Sequence, residues 1–196
     1  MPKISQEHRD NRRNQILEAA WRCFYRAGLH ETTMQEIIRA SGLSAGAVYL
    51  YFPSKEDIIL TAIRTSLDEV RSIVSEILTK DSYASLPLLM ETIAAAFDRF
   101  ASRDGYDLRS IALLGWSEAQ TNTRVRGAMV PFYQEFLAQL RGAIKSGQKR
   151  GIIDRKVSAD AAASLLLSVL LGNVVQSALL ANGPTRMLVK GAAGFA

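Results

Sequence analysis

The sequence holds one cysteine, Cys23, in 196 residues, so an internal disulfide is excluded and a reducing compartment suits the chain. Histidine is almost as scarce. His8 and His30 stand far apart with no Cys or Asp cluster beside them, which leaves no locally assembled zinc-type ligand set; neither a metal nor a cofactor is expected. Residues 1–13 are polar and charged and lack the apolar segment an export signal needs, which reads as a cytoplasmic protein. Alternating strand-like runs, internal repeats and low-complexity tracts are missing too, so the fold class is all-α. One stretch, 161–181, carries no charge and has the length of a membrane span. Ser164, Ser168, Asn173, Gln176 and Ser177 interrupt it and no basic cluster flanks it closely, so it reads as a helix buried on several sides, with no membrane as partner.

What is present suits a globular protein with a sizeable core: 48% of the residues are apolar and 22% charged. Lys and Arg number 24 against 19 Asp and Glu, a net charge of +5 that permits a polyanionic partner without proving one. The 3.6-residue apolar period places a first helix over 7–27, with Ile16, Ala20, Phe24 and Ala27 inward and Gly28 as its stop. Thr33 followed by Glu36 is a capping box that opens a second helix, which ends at Ser41-Gly42. Ser44 caps a short third helix reaching Phe52, where Pro53 forbids continuation, and Ser54 caps a long fourth one running to about Lys80. The expected layout is a three-helix head, 1–53, and a larger helical domain, 54–196, with helix 54–80 as connector. Beyond it, Asp104-Gly105 breaks one helix from the next, Pro131 kinks or restarts a helix beginning near Thr123, and Gly183-Pro184 stops the uncharged one.

Two short helices joined through Ser41-Gly42-Leu43 have the size and turn chemistry of a helix-turn-helix, although many ordinary helix pairs also turn at Gly. The run from Thr33-Met34-Gln35-Glu36-Ile37-Ile38 through Ser44-Ala45-Gly46-Ala47-Val48-Tyr49-Leu50-Tyr51-Phe52-Pro53-Ser54-Lys55-Glu56 is more specific. Its S-x-G-x-x-Y-x-Y-F-x-S-K-E pattern resembles the DNA-binding domain of the TetR family of transcriptional regulators, closely over about Arg13 to Asp57 and only in helical layout beyond. The resemblance implies a homodimer with a DNA-binding head on each subunit and a divergent C-terminal domain that binds a small-molecule effector. It also implies that the Tyr49 hydroxyl contacts the DNA backbone.

Helical geometry turns Val48 and Phe52 inward and Ala45, Gly46, Tyr49 and Leu50 outward. Gly46 lets the backbone approach DNA, and the helix N-termini at Thr33, Ser44 and Lys55 offer N–H groups and positive dipole ends to phosphates. Ala45, Ala47 and Leu50 present methyl groups but no guanidinium or amide, so base reading falls to thymine methyl contacts, to Gln35 or Arg39, and to DNA shape.

Catalytic patterns fail on context. Gly115-Trp116-Ser117-Glu118-Ala119 misses the G-x-S-x-G elbow by one residue and lies in a helix, and Gly142 to Lys149 misses the phosphate-loop lysine because Gln148 stands there. An enzyme is not expected. Phe97, Phe100, Trp116, Met129, Phe132, Tyr133 and Phe136 gather large apolar side chains over three consecutive helices, mostly as core, yet a bundle can hold a ligand among them. Glu118, Gln120 and Asn122 are polar groups close enough in sequence to orient it. Ser164, Ser168 and Gly172 form a small-residue ridge, with Val175 beside it, suited to a two-fold helix crossing between subunits. The resulting expectation is a cytoplasmic, dimeric repressor that leaves double-stranded DNA when an effector binds. Open alternatives are an activator or weakly specific DNA binder, and a helical small-molecule-binding protein without DNA binding.

Overall fold

In a computed structural model describing residues 6–80 and 83–180, the helical periodicity resolves into α1 (Gln6–Glu31), α2 (Met34–Ser41), α3 (Ala45–Tyr51) and α4 (Lys55–Thr79). They are followed by α5 (Leu86–Ala101), a hairpin of β1 (Ser102–Arg103) and β2 (Tyr106–Asp107), then α6 (Leu108–Thr121), α7 (Thr123–Lys149) and α8 (Ala159–Leu180). The fold is all-α, with helix-turn-helix-like α1–α3 linked by the long α4 to a larger helical body.

Local chemistry sets the short helices. Thr33 Oγ1 accepts from the Glu36 N–H at 3.2 Å while Glu36 Oε2 accepts from the Thr33 N–H at 2.8 Å, closing the capping box of α2. Gly42, at φ 69°, ends that helix in the left-handed conformation. Ser44 accepts from the Ala47 N–H at 3.2 Å to open α3, and Ser54 accepts from the Asp57 N–H at 3.2 Å to open α4.

Two apolar cores follow. The first joins Ile16, Phe24, Ile37, Val48 and Phe52 of α1–α3 to Ile58, Ile59 and Ala62 of α4, and continues into Tyr106, Leu108, Ile111, Val125 and Met129. It therefore runs across residues 53 and 54 without a break. The second gathers Val74 of α4 with Leu89 and Ile93 of α5, Phe136, Leu140 and Ile144 of α7, and Leu166 and Leu170 of α8. Each fully buried side chain of this kind stabilises by about 1.5–3 kcal/mol. An exposed ion pair contributes about 0–1 kcal/mol, so apolar burial decides how the helices sit.

Several expectations are modified. The first helix kinks at Gly28 and continues one turn to Glu31, where Thr32 Oγ1 donates to the Gly28 carbonyl at 2.7 Å. Asp104 and Gly105 do not simply separate two helices; they form the tip of the β1–β2 hairpin, whose strands of two residues each are too short to show alternation. Pro131 neither restarts nor ends α7, since both Pro131 and Gly127, whose carbonyl the proline leaves without its helical donor, face solvent. The stop at Gly183-Pro184 lies outside the described residues.

α8 is, among the described residues, the helix long and apolar enough to cross a membrane. It packs against α5, α6 and α7, with Asn173 and Ser177 buried. Its other side leaves Leu165, Leu179 and Leu180 exposed at 65%, 68% and 60%.

Gly28 holds φ 82° and ψ 171°, a region essentially restricted to glycine, and a Cβ there would meet no atom within 4 Å. Gly28→Ala should therefore cost about 1–3 kcal/mol through backbone strain alone. Denaturant unfolding checks this, and an unchanged midpoint would show that the kink tolerates a side chain.

Candidate nucleic-acid interface and ligand cavity

On α3, Val48 is fully buried against the first core and carries the helix, while Ala45 and Gly46 are exposed together with Tyr49 at 48% and Leu50 at 71%. Ala47 is half-buried. Gln35 and Arg39 of α2 are exposed, and Thr33 and Ser44 face solvent at the two helix N-termini. The structure thus brings Thr33, Gln35, Arg39, Ser44, Ala45, Gly46, Tyr49 and Leu50 onto the accessible part of the α2–α3 unit. This surface is short of charged and amide side chains on α3 itself.

Lys55 has an intramolecular position that nothing in its sequence neighbourhood indicates. From the first turn of α4 its Nζ donates to the Leu29 carbonyl at 3.0 Å and the His30 carbonyl at 2.8 Å, satisfying the end of α1 where unpaired carbonyls and the negative end of the helix dipole lie. Two of the three ammonium donors are taken, so the phosphate contact expected of Lys55 would fall to the third.

The same corner joins α1 and α4 to the body. His30 Nε2 lies 3.2 Å from Glu118 Oε2 on α6, and Arg124 Nη2 at the start of α7 donates to Asp57 Oδ1 at 3.0 Å. Nearby, the Tyr106 hydroxyl donates to Glu18 Oε2 at 2.9 Å while its ring stacks on Trp21 at 6.0 Å. The Ser54 hydroxyl, then Arg124, holds the Asp57 carboxyl below the usual carboxylate range. The backbone and side chain of Thr33 do the same for Glu36. Burial pushes the Cys23 thiol up, which keeps it protonated and unreactive.

A cavity of about 130 Å³ opens between α4, α5, α6, α7 and α8. Of the residues expected to meet a ligand, Phe97, Phe100, Trp116, Met129, Phe132, Tyr133 and Phe136 all line it, joined on α4 by Ile63, Leu67 and Val70. Glu118 does not. At 9% exposure it turns to His30 and to Asn122, whose Nδ2 donates to Glu118 Oε1 at 2.8 Å. Gln120 instead bonds back to the Trp116 carbonyl at 3.3 Å. Sequence proximity misled here because α6 presents Trp116 and Glu118, two residues apart, in different directions. Arg109, not foreseen, belongs to the wall.

Ser117 is an exposed residue within α6, and Gly142 to Lys149 lie within α7, so neither catalytic pattern has the strand-led turn its chemistry needs. Among the described residues no group of three or more His, Cys, Asp or Glu is placed to hold a metal. On α8, Ser164 and Ser168 are exposed, Gly172 and Val175 half-buried, and a Cβ at Gly172 would meet nothing within 4 Å among the described residues.

Residues 16–62 match the family model for bacterial regulatory proteins, tetR family. Over 68 residues the chain is 48% identical to the HTH-type transcriptional regulator YfiR of Bacillus subtilis (strain 168), a match spanning 35% of this chain and only 33% of that protein's length. The HTH-type transcriptional repressor BepR of Brucella suis biovar 1 (strain 1330) is 27% identical over 169 residues, 82% of this chain and 77% of that one. Among solved structures, Salmonella enterica GusR superposes with a TM-score of 0.75 at 26% identity, covering 98% of both chains.

Lys55→Met should destabilise the protein by about 1–2 kcal/mol, because two charge-assisted hydrogen bonds at a half-exposed helix end are lost. Thermal unfolding measures this; unchanged stability together with a DNA-binding salt slope shallower by about one would assign Lys55 to phosphate instead. The lowered carboxyl of Asp57 has its own signature. Its contribution is complete above the unfolded value near pH 4 and is lost as pH falls through the lower folded value. Asp57→Asn should accordingly flatten the fall in stability below about pH 4, read from urea midpoints across that range, and an unaltered slope would remove Asp57 from the acid response.

Proposed function

We infer that the chain, whose residues 16–62 match the tetR family of bacterial regulatory proteins, is a cytoplasmic, homodimeric DNA-binding transcriptional regulator of that family, a repressor that leaves a near-palindromic operator when a small molecule occupies its C-terminal cavity. Regulators of this family bind DNA and are not enzymes. The observation that carries the reading is the outward face of α3: Val48 anchors a seven-residue helix whose Ala45, Gly46, Tyr49 and Leu50 stand in solvent, behind a turn capped at Thr33 and Ser44. A surface of small residues lets the helix sit deep in the major groove, where the capped N-termini and the Tyr49 hydroxyl meet phosphates. Gln35, Arg39, Ala47 and Lys55 complete the proposed DNA contacts.

Domain roles follow from the same arrangement. Residues 1–53 form the DNA-binding head and 54–196 the ligand-binding and dimerisation domain, with 54–80 as connector, although the first core reaches across that boundary to Ala62. The exposed apolar side of α8, with Leu165, Leu179 and Leu180 uncovered and Ser164, Ser168, Gly172 and Val175 beside them, suits burial against a second copy of the chain. A second reading, a weakly specific binder or an activator, is favoured by one observation: the exposed residues of α3 carry no amide or guanidinium to read bases.

Selection of bound sequences from random DNA tests the reading. Enrichment of one near-palindrome with half-sites about 34 Å apart supports it. Scattered weak sites support the second reading, and no enrichment removes DNA binding. The dimer has a separate test. Because Gly172 is open among the described residues, Gly172→Leu should keep the subunit folded while shifting sedimentation from dimer to monomer; wild-type protein that sediments as a monomer at micromolar concentration would end the two-half-site model.

A further inference from the structure

The cavity's wall carries almost no polarity, and its one charged group is already paired. Arg109 is the wall's charged residue, and it is already held by two carboxylates: Nε donates to both Asp107 oxygens at 3.0 and 3.1 Å, Nη2 to Asp107 Oδ2 at 2.6 Å, and Nη1 to Asp98 Oδ1 at 2.9 Å. Two aspartates already outweigh its single positive charge, so an incoming carboxylate meets a net negative cluster, and among the described residues no Asp or Glu lines the cavity for an incoming cation. Burying either ion without a partner is costly. The remaining wall polarity is neutral: Ser66, and the pair in which Trp116 Nε1 donates to the Tyr133 hydroxyl at 2.6 Å. A phenol that accepts one hydrogen bond still has its own proton to give, and no acceptor for it is present among the described residues. Burial raises the Tyr133 phenol above its ordinary range, so that proton stays in place at neutral pH.

Size narrows the class. A volume of about 130 Å³ is close to the roughly 150 Å³ apolar cavity that takes up a benzene-sized molecule. We propose that the cavity binds a small, uncharged, mostly apolar molecule of about one ring, oriented by a carbonyl or hydroxyl oxygen that accepts the Tyr133 proton. This rests on the effector-responsive reading above and names the ligand class for that site.

Calorimetric titration of the full chain with four probes tests it: acetophenone, ethylbenzene (the same shape without the oxygen), benzoate and benzyltrimethylammonium. Acetophenone should bind one per chain, about 2- to 12-fold tighter than ethylbenzene, the range one neutral hydrogen bond supplies. Both ions should bind at least about tenfold more weakly than the ketone, because neither finds a counter-charge. Tyr133→Phe keeps the ring and should erase the preference for ketone over hydrocarbon while leaving ethylbenzene within about twofold. The wild-type ratio carries the same point if that variant does not fold. Either ion binding as well as acetophenone, no preference for the ketone, no binding of a neutral probe, or a preference that survives in Tyr133→Phe would each overturn the proposal. Failure here is separable from failure of the regulator reading, because selection of DNA sequences is carried out without ligand. An enriched operator with no ketone binding rejects only the ligand class, and ketone binding without an operator rejects only the regulator.

Discussion

One helix, α4, contributes to both apolar cores and to the cavity wall. α4 gives Ile58, Ile59 and Ala62 to the core that holds the head, Ile63, Leu67 and Val70 to the cavity wall, and Val74 to the core of the body. At about 1.5 Å per residue its 25 residues span roughly 37 Å. A rotation or shift of this helix that improves packing around a cavity occupant must therefore be felt by the residues that position α3. Neither core can relax independently, since each would have to expose side chains worth about 1.5–3 kcal/mol apiece.

Polar contacts at the corner between α1, α4, α6 and α7 refine that arrangement. His30 near Glu118 and Arg124 on Asp57 are partly exposed pairs that individually contribute little to stability, whereas Lys55 closes the end of α1 with two charge-assisted hydrogen bonds. Their value is geometric. Lys55 ties α4 to the end of α1, His30 ties α1 to α6, and Arg124 ties α7 to the start of α4, so together they select one angle of the head from those the apolar surface alone would permit. A Cβ added at Gly115 of α6 would lie 3.8 Å from Ile63 Cδ1, and Glu118 sits one turn on, so the cavity wall and the His30 contact belong to one stretch of helix.

Features governed by residues three or four apart were legible in the sequence. Thr33 with Glu36, Ser44 with Ala47 and Ser54 with Asp57 form the caps their spacing predicts, because a cap is satisfied inside its own first turn. The aromatic cluster over α5–α7 likewise marked the cavity, since bulky side chains on neighbouring helices must meet. Contacts between distant positions were not legible. Nothing near Lys55 indicates that it reaches the end of α1, 26 residues earlier, and Glu118 looked like a ligand contact because sequence proximity to Trp116 conceals the turn of the helix between them. Strands of two residues are below the length at which alternation carries information, so the hairpin at 102–107 left no trace.

On the reading proposed above, DNA and a cavity occupant compete through α4, and thermodynamic linkage makes that directly measurable. The measurement is the affinity of acetophenone for the free protein and for the protein saturated with its selected operator. Shared burial on α4 predicts that the operator weakens ketone binding about 5- to 150-fold, by the same factor as the ketone weakens operator binding. Equal ketone affinity in the two states would contradict it, leaving the head and the cavity as neighbours with no energetic connection.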